Sequence, residues 1–118
     1  MVNSREKGKR GEREAAQALT DMGLTARRSQ QFCGDEGDAD LAGVEGIAFE
    51  VKRRERASYA DLNHWLTQAV AKAKAGDVAA VLTRRSRFPW LLTIDLNDLP
   101  QLAKAVVAIT EKPRDPER

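Results

Sequence analysis

The chain has 118 residues, a formal net charge of +2, and 42% hydrophobic against 32% charged residues. That size fits one domain able to bury its own core, and no stretch reaches the ~18 apolar residues that span a bilayer. One cysteine, Cys33, and one histidine, His64, exclude an internal disulfide, a Cys-rich zinc site and His-cluster chemistry.

Charge is unevenly spread. Residues 1–13 carry Arg5, Lys7, Lys9, Arg10 and Arg13 against Glu6 and Glu12. Residues 34–50 carry Asp35, Glu36, Asp38, Asp40, Glu45 and Glu50 and no base. Lys52, Arg53, Arg54 and Arg56 follow, and Arg84, Arg85 and Arg87 form a last basic group. Acids set among basic patches suit a surface that binds a polyanion and holds a divalent cation at one point. Met1 to Arg13 has no apolar run, so a secretory signal is not expected there, and a reduced cytoplasmic chain is.

Gly8 to Met22 reads as a helix, with Ala15, Ala16, Leu19 and Met22 on one face and Gly23 as its stop. Leu24 to Ser29 reads as a strand and Gln30 to Gly37 as a loop. Asp38 to Ala42 and Gly46 to Lys52 read as two strands of a hairpin around Gly43-Val44-Glu45-Gly46. Strand alternation turns Phe49 and Val51 to one side, and Ala48, Glu50 and Lys52 to the other.

Ser58-Tyr59-Ala60-Asp61 has the form of a capping box, opening a helix with Leu62, Trp65, Leu66, Ala69, Val70 and Ala73 inward. Lys72 and Lys74 suit its C-terminal end, and Gly76 ends it. Val78 to Thr83 and Trp90 to Leu96 read as strands. Asn97 or Asp98 opens a last helix with Pro100 in its first turn and Leu99, Leu102, Val106 and Ile109 inward. The order α-β-β-β-α-β-β-α predicts an α/β fold, a mixed sheet flanked by helices. Glu111 to Arg118, with two prolines and no apolar residue, reads as a flexible tail.

Glu50 and Lys52 share a strand face, about 7 Å apart at Cα. A carboxylate there suits a hard cation, and the ammonium suits the charge that develops on a phosphate. Asp40, on the neighbouring strand, can reach the same cation. Glu12 lies one turn before Ala15 and Ala16, on or beside the buried helix face. Such a set hydrolyses phosphodiesters without histidine or cysteine. Taken alone, Glu50-Val51-Lys52 reads first as an exposed ion pair; Asp40 upstream and the arginines downstream turn the reading to catalysis.

Asp40, Glu50-Val51-Lys52 and the spacing between them resemble the core of the PD-(D/E)XK nucleases, with Ala39-Asp40 where the family usually has Pro-Asp. Lys9-Arg10-Gly11-Glu12-Arg13-Glu14, Gly23, Arg28-Ser29, Asp40-Leu41 and Glu50-Val51-Lys52 together resemble the archaeal-type Holliday junction resolvases and their phage relatives. The resemblance is densest over Lys7 to Arg54. It implies a restriction-endonuclease-like fold, with a single nuclease domain over residues 1–110. It also implies a homodimer that cuts four-way DNA junctions with Mg²⁺, or Mn²⁺ in its place. Asp40, Glu50 and Glu12 would then serve the metal, with Lys52 as the catalytic lysine. Arg10, Arg13, Arg28, Ser29, Arg53, Arg54, Gln68 and Arg85 would meet DNA. The loop Gln30 to Gly37 departs from the family in length and acidity. Two other functions fit the residues: a nuclease acting on flaps, nicks or duplex, and a non-catalytic nucleic-acid-binding module.

Other candidates have plainer readings. Glu14 is about 200° around the helix from Glu12 and cannot share its face. Asp38 has the parity of Asp40 but reads as a loop acid. His64 and Cys33 have no catalytic partner nearby in sequence. Phe88-Pro89-Trp90 reads as the entry to a buried strand, or else as aromatics offered to an opened base or a dimer interface. Phe88, Trp90 and Leu92 are the candidates for that interface.

Overall fold

Two seven-residue strands, Ile47–Arg53 (β3) and Val78–Arg84 (β4), form the centre of the protein. They pair in parallel, from Ile47 opposite Val78 to Arg53 opposite Arg84. A parallel pair needs a crossover, and helix α2 (Tyr59–Lys72) supplies it. Strand β5 (Leu91–Thr93) adds antiparallel to β4. A separate two-stranded ladder joins β1 (Arg27–Arg28) to β2 (Leu41–Ala42). Helix α1 (Ser4–Asp21) precedes these strands, and a 3₁₀ turn (Leu96–Asp98) leads into the last helix, α3 (Leu99–Thr110). The computed structural model describes residues 4–29 and 39–111. The expected loop Gln30 to Gly37, Cys33, Asp38 and the tail past Glu111 lie outside the described residues.

The β3–β4 pair is covered on both faces. Ala15, Ala16 and Leu19 of α1, with Leu102 of α3, pack on Ile47, Phe49, Val51, Val78, Ala80 and Leu82. Trp65 and Ala69 of α2 pack on Ala79 and Val81 from the opposite side. Gly11 lets α1 approach closely, since a Cβ there would stand 3.2 Å from Arg53 Cβ. Gly43 turns the chain with φ +99°, and a side chain on it would meet the Thr25 carbonyl at 2.9 Å.

The element order and the division of β3 into two faces follow the sequence reading. The capping box is present: Asp61 N–H donates to Ser58 Oγ at 3.1 Å, and Ser58 N–H to Asp61 Oδ2 at 2.9 Å. The edges differ. The expected hairpin partner of β3 shrinks to Leu41–Ala42 and ladders with β1 instead. Asp40, just before it, keeps a backbone bond to β3, its N–H donating to the Phe49 carbonyl at 3.0 Å. The expected strand Trp90 to Leu96 contracts to three residues. Met22, Val70 and Leu99, expected inward, stand 65%, 60% and 50% exposed. Each lies at the border of its helix's apolar stripe, where the narrow sheet leaves nothing to cover it. Trp90 packs partly against the main core, while Phe88 and Leu92 are exposed. Among the described residues, no helix is long and apolar enough to cross a membrane.

Candidate active site

Among the described residues, no strand ladders along the edge of β3 away from β4. A buried N–H left there would cost about 1–3 kcal/mol without a partner. Asp40 meets this need with its side chain: Oδ2 accepts from Val51 N–H at 2.8 Å. The carboxylate is thereby fixed between the residues that carry Glu50 and Lys52. Asp40 is 7% exposed, and its carbonyl accepts from Ser29 N–H at 2.9 Å, which sets buried Ser29 beside it.

Glu50 is 3% exposed and points to the α2 side of the sheet, among apolar neighbours. Lys52 Nζ stands 3.7 Å from its Oε2. A second lysine, Lys72, reaches down from the last turn of α2 to both Glu50 oxygens, at 3.2 and 3.3 Å. Burial and the neighbouring Asp40 carboxylate push the Glu50 pKa up, against the pull of Lys72 and Lys52. Glu12 lies on the α1 side, its Oε1 accepting from Arg28 Nε at 2.8 Å. Its pKa is also raised, first by burial and then by Asp40. Asp40 is thus electrostatically coupled to both glutamates. The three acids form a partly desolvated, negatively charged centre.

The structure separates the two α1 acids. Glu12 sits with Arg28, whereas Glu14 Oε1 meets Arg53 Nε at 2.9 Å and Arg84 Nη1 at 3.7 Å. Arg28 and Arg53 are therefore ion-paired inside the protein rather than standing free. Arg10 and Arg13 are exposed on α1. Arg54 is exposed and packs over the Trp65 ring, 5.7 Å from its centroid. Arg85 is exposed beside Phe88. Gln68 is half-buried one turn before Lys72, and its Oε1 is buried without a hydrogen-bond partner. His64 Nε2 lies 3.4 Å from Gln68 Nε2, on the exposed side of α2.

Lys72 is the site residue that the sequence reading missed. Its signal was available: Trp65, Ala69 and Lys72 follow i, i+4, i+7 spacing, so Lys72 continues the buried stripe. A lysine in a last turn also has an ordinary explanation in the helix dipole, which hid it.

Two grooves flank the centre. One, of about 780 Å³, is lined by Arg27, Ser29, Ala48, Lys72 and Lys74 among others. The second, of about 430 Å³, includes Arg54, Thr83 and Arg84. Ala48 belongs to the first and Arg54 to the second, so Glu50 and Lys52 lie between them along one face of β3.

The donor set is all oxygen, which fits a hard divalent cation. Asp40 and Glu50 are the carboxylates that could hold one. Among the described residues, no three His, Cys, Asp or Glu side chains gather as a ready cation cage. Glu12 stands behind its pair with Arg28.

A mixed sheet between helices, with Asp40, Glu50 and Lys52 gathered at one strand, defines the restriction-endonuclease-like class. The family model "Phage putative PDDEXK endonuclease" matches residues 3–114, and the chain belongs to that family of endonucleases. Among solved structures, the chain is similar to a Holliday junction resolvase, Hjc, from the archaeal hyperthermophile Archaeoglobus fulgidus. The similarity has a TM-score of 0.54 and 26% identity, over 75% of this chain and 72% of that one. No curated protein sequence matches the chain significantly.

Proposed function

We propose that this protein is a metal-dependent, structure-specific DNA endonuclease, and that its substrate is the four-way junction. The observation that carries the catalytic part is the convergence of buried Asp40 and Glu50 with Lys52 and Lys72 at one strand. A buried carboxylate whose pKa is pushed up, as at Glu50, is a cost to the fold, and a phosphodiester-cutting site needs such a centre.

Asp40 and Glu50 are the groups that would hold Mg²⁺ or Mn²⁺, with Glu12, ion-paired to Arg28, as the third acid nearby. When bound, the cation supplies positive charge at a phosphate oxygen and lowers the pKa of a water. The chain's own residues do the rest. The Val51 N–H fixes the Asp40 carboxylate. Lys72 and Lys52 offset the charge of Glu50 and pull its pKa down against the upward push of burial and Asp40. Lys52, the shorter reach from the strand, offers its ammonium to the charge growing on the phosphate. Arg10, Arg13, Arg54 and Arg85 carry charge toward the DNA backbone. Arg28 and Arg53 contribute by orienting Glu12 and Glu14.

Junction specificity rests on the resolvase likeness and on assembly. Symmetrical cuts need two sites related by a two-fold axis, and one such domain has a single site. Exposed Leu92, Leu96 and Leu99 offer the apolar surface for a second copy. The test presents labelled four-way junction, flap and linear duplex to the protein with Mg²⁺, alongside light scattering. Paired symmetrical cuts in the junction by a dimer are expected. A monomer on the junction at micromolar concentration would overturn the resolvase reading, and a failure to cut any DNA would overturn the nuclease reading.

A further inference from the structure

The second groove lies where β3 and β4 end, and its walls do not belong to the metal-binding centre. Arg54, Arg56, Arg84, Arg85, Phe88 and Leu91 line it, around about 430 Å³. That volume is within the ~300–1,000 Å³ of small-molecule sites. Four guanidiniums face one carboxylate, Glu55, which is occupied: its Oε2 accepts from both the N–H and the hydroxyl of Ser86. Among the described residues, Arg84 alone of the four has an acidic partner, Glu14 at 3.7 Å.

Phe88 is presented on a pinned turn. Arg84 Nε donates to the Phe88 carbonyl at 2.7 Å, and Phe88 N–H donates to the Arg85 carbonyl at 3.0 Å. Arg87 between them is the one described non-glycine residue with positive φ, at 72°. A left-handed backbone is uncommon for such a residue and persists where surrounding bonds enforce it. Phe88, on the turn these bonds fix, is 53% exposed, and the Arg85 guanidinium lies over one side of its ring, 5.1 Å from the centroid.

We propose that this groove binds one unpaired nucleotide of a DNA strand, its base stacked on Phe88 and its phosphates held by Arg54, Arg56 and Arg85. This deepens the nuclease reading and rests on it for the identity of the polymer. A guanidinium pairs well with phosphate, and an aromatic ring held beside it stacks on any base. A base inside a duplex shows only its edges, so it must leave the stack to cover the ring's face. A second copy of the chain fits poorly, because a two-fold contact here would set arginines against arginines. The groove begins beside Lys52, at its register partner Thr83, and runs on past the end of β3 to Arg54. A nucleotide held there would lie next to the phosphate being cut, at the place where a branched or frayed strand departs from pairing.

The test measures anisotropy of labelled oligo-dT and of a linear duplex, without divalent metal, for wild type, Phe88→Ala and Phe88→Trp. The exposed position lets both variants fold. Phe88→Ala should weaken oligo-dT binding about 5- to 100-fold and leave duplex binding within about twofold. Phe88→Trp, which keeps a stacking face, should bind oligo-dT like wild type. Equal loss on both DNAs, no loss on either, or a sedimentation change in Phe88→Ala would overturn the proposal. Cleavage of labelled four-way junction, flap and linear duplex with Mg²⁺ separates the two claims. Cutting by wild type with unaltered oligo-dT binding in Phe88→Ala sinks this inference alone. Selective loss of oligo-dT binding in a protein that cuts no DNA upholds the groove and sinks the nuclease reading.

Discussion

The two faces of the β3–β4 pair are made by the same fourteen residues, yet they have opposite characters. On the α1 side Ile47, Phe49, Val51, Val78, Ala80 and Leu82 form an unbroken apolar layer. On the α2 side the register sets Glu50 opposite Val81 and Lys52 opposite Thr83. There the layer is interrupted by a carboxylate 3% exposed and by two lysines that reach for it. The first face stabilises the fold by excluding water. The second gives up part of that stabilisation to keep charge at low exposure, which is the condition under which charge acts strongly on a substrate. One residue of alternation separates stability from chemistry.

Changes on the two faces should therefore fail in different ways. Lys52→Ala should lower single-turnover cleavage by about 10²–10⁴-fold, the range of a well-placed charged or proton-transferring group. Urea unfolding should move by less than about 1 kcal/mol, because a partly exposed lysine beside a carboxylate adds little net stability. Phe49→Ala, three residues away on the other face, should cost about 3–5 kcal/mol of stability by leaving a cavity. The fraction that stays folded should cut DNA at close to the wild-type rate. Equal loss of stability in both variants would erase the distinction.

Lys72→Ala sharpens it within the polar face. Lys72 acts on Glu50 rather than on the phosphate, so the expected loss is smaller, about 10–100-fold, as for groups that orient ligands. Since Lys72 draws the Glu50 pKa down, its removal should move the rising limb of the pH–rate profile to higher pH. Lys72→Arg should restore much of both. A rate loss with an unmoved profile would make Lys72 merely structural.

The smallest effect concerns stability and pH. In the folded chain Glu50 holds its proton above the ordinary value of 4.5. The folded state then binds more protons than the unfolded one just above that value. This group's contribution to stability falls as pH rises through that window and levels off beyond it. Glu50→Gln removes the term, so at pH 7 the variant should match or exceed wild type by up to about 1 kcal/mol. Chemical unfolding across the pH range checks the sign, and a loss of more than about 2 kcal/mol at pH 7 would contradict it.

The sequence carried the parts of this arrangement that depend on local pattern. Alternation in Ile47–Arg53 assigned Glu50 and Lys52 to one face, and Ser58 and Asp61 declared the start of α2. What it hid depends on tertiary reach. Asp40 acts through a side-chain bond to a backbone N–H on another strand, which no spacing rule contains. Lys72 and Arg28 span from their own elements to acids 22 and 16 residues away, because long flexible side chains choose partners by space. Short edge strands such as β2 and β5 are set by neighbours rather than by propensity. The exposure of Met22, Val70 and Leu99 likewise follows from how narrow the sheet is, which periodicity alone does not express.

Asp40→Asn parts the service of the Asp40 carboxylate to the proposed reaction from the service of its backbone contact to the fold. The amide oxygen of asparagine can still accept the Val51 N–H, but its negative charge is gone. Single-turnover cleavage of a labelled four-way junction with Mg²⁺, paired with urea unfolding in the same buffer, measures both. The account predicts cleavage reduced by at least about 10³-fold, the scale of several kcal/mol of lost metal-dependent stabilisation, with unfolding moved by no more than about 2 kcal/mol. A folded Asp40→Asn protein that cuts within about tenfold of the wild-type rate would contradict it.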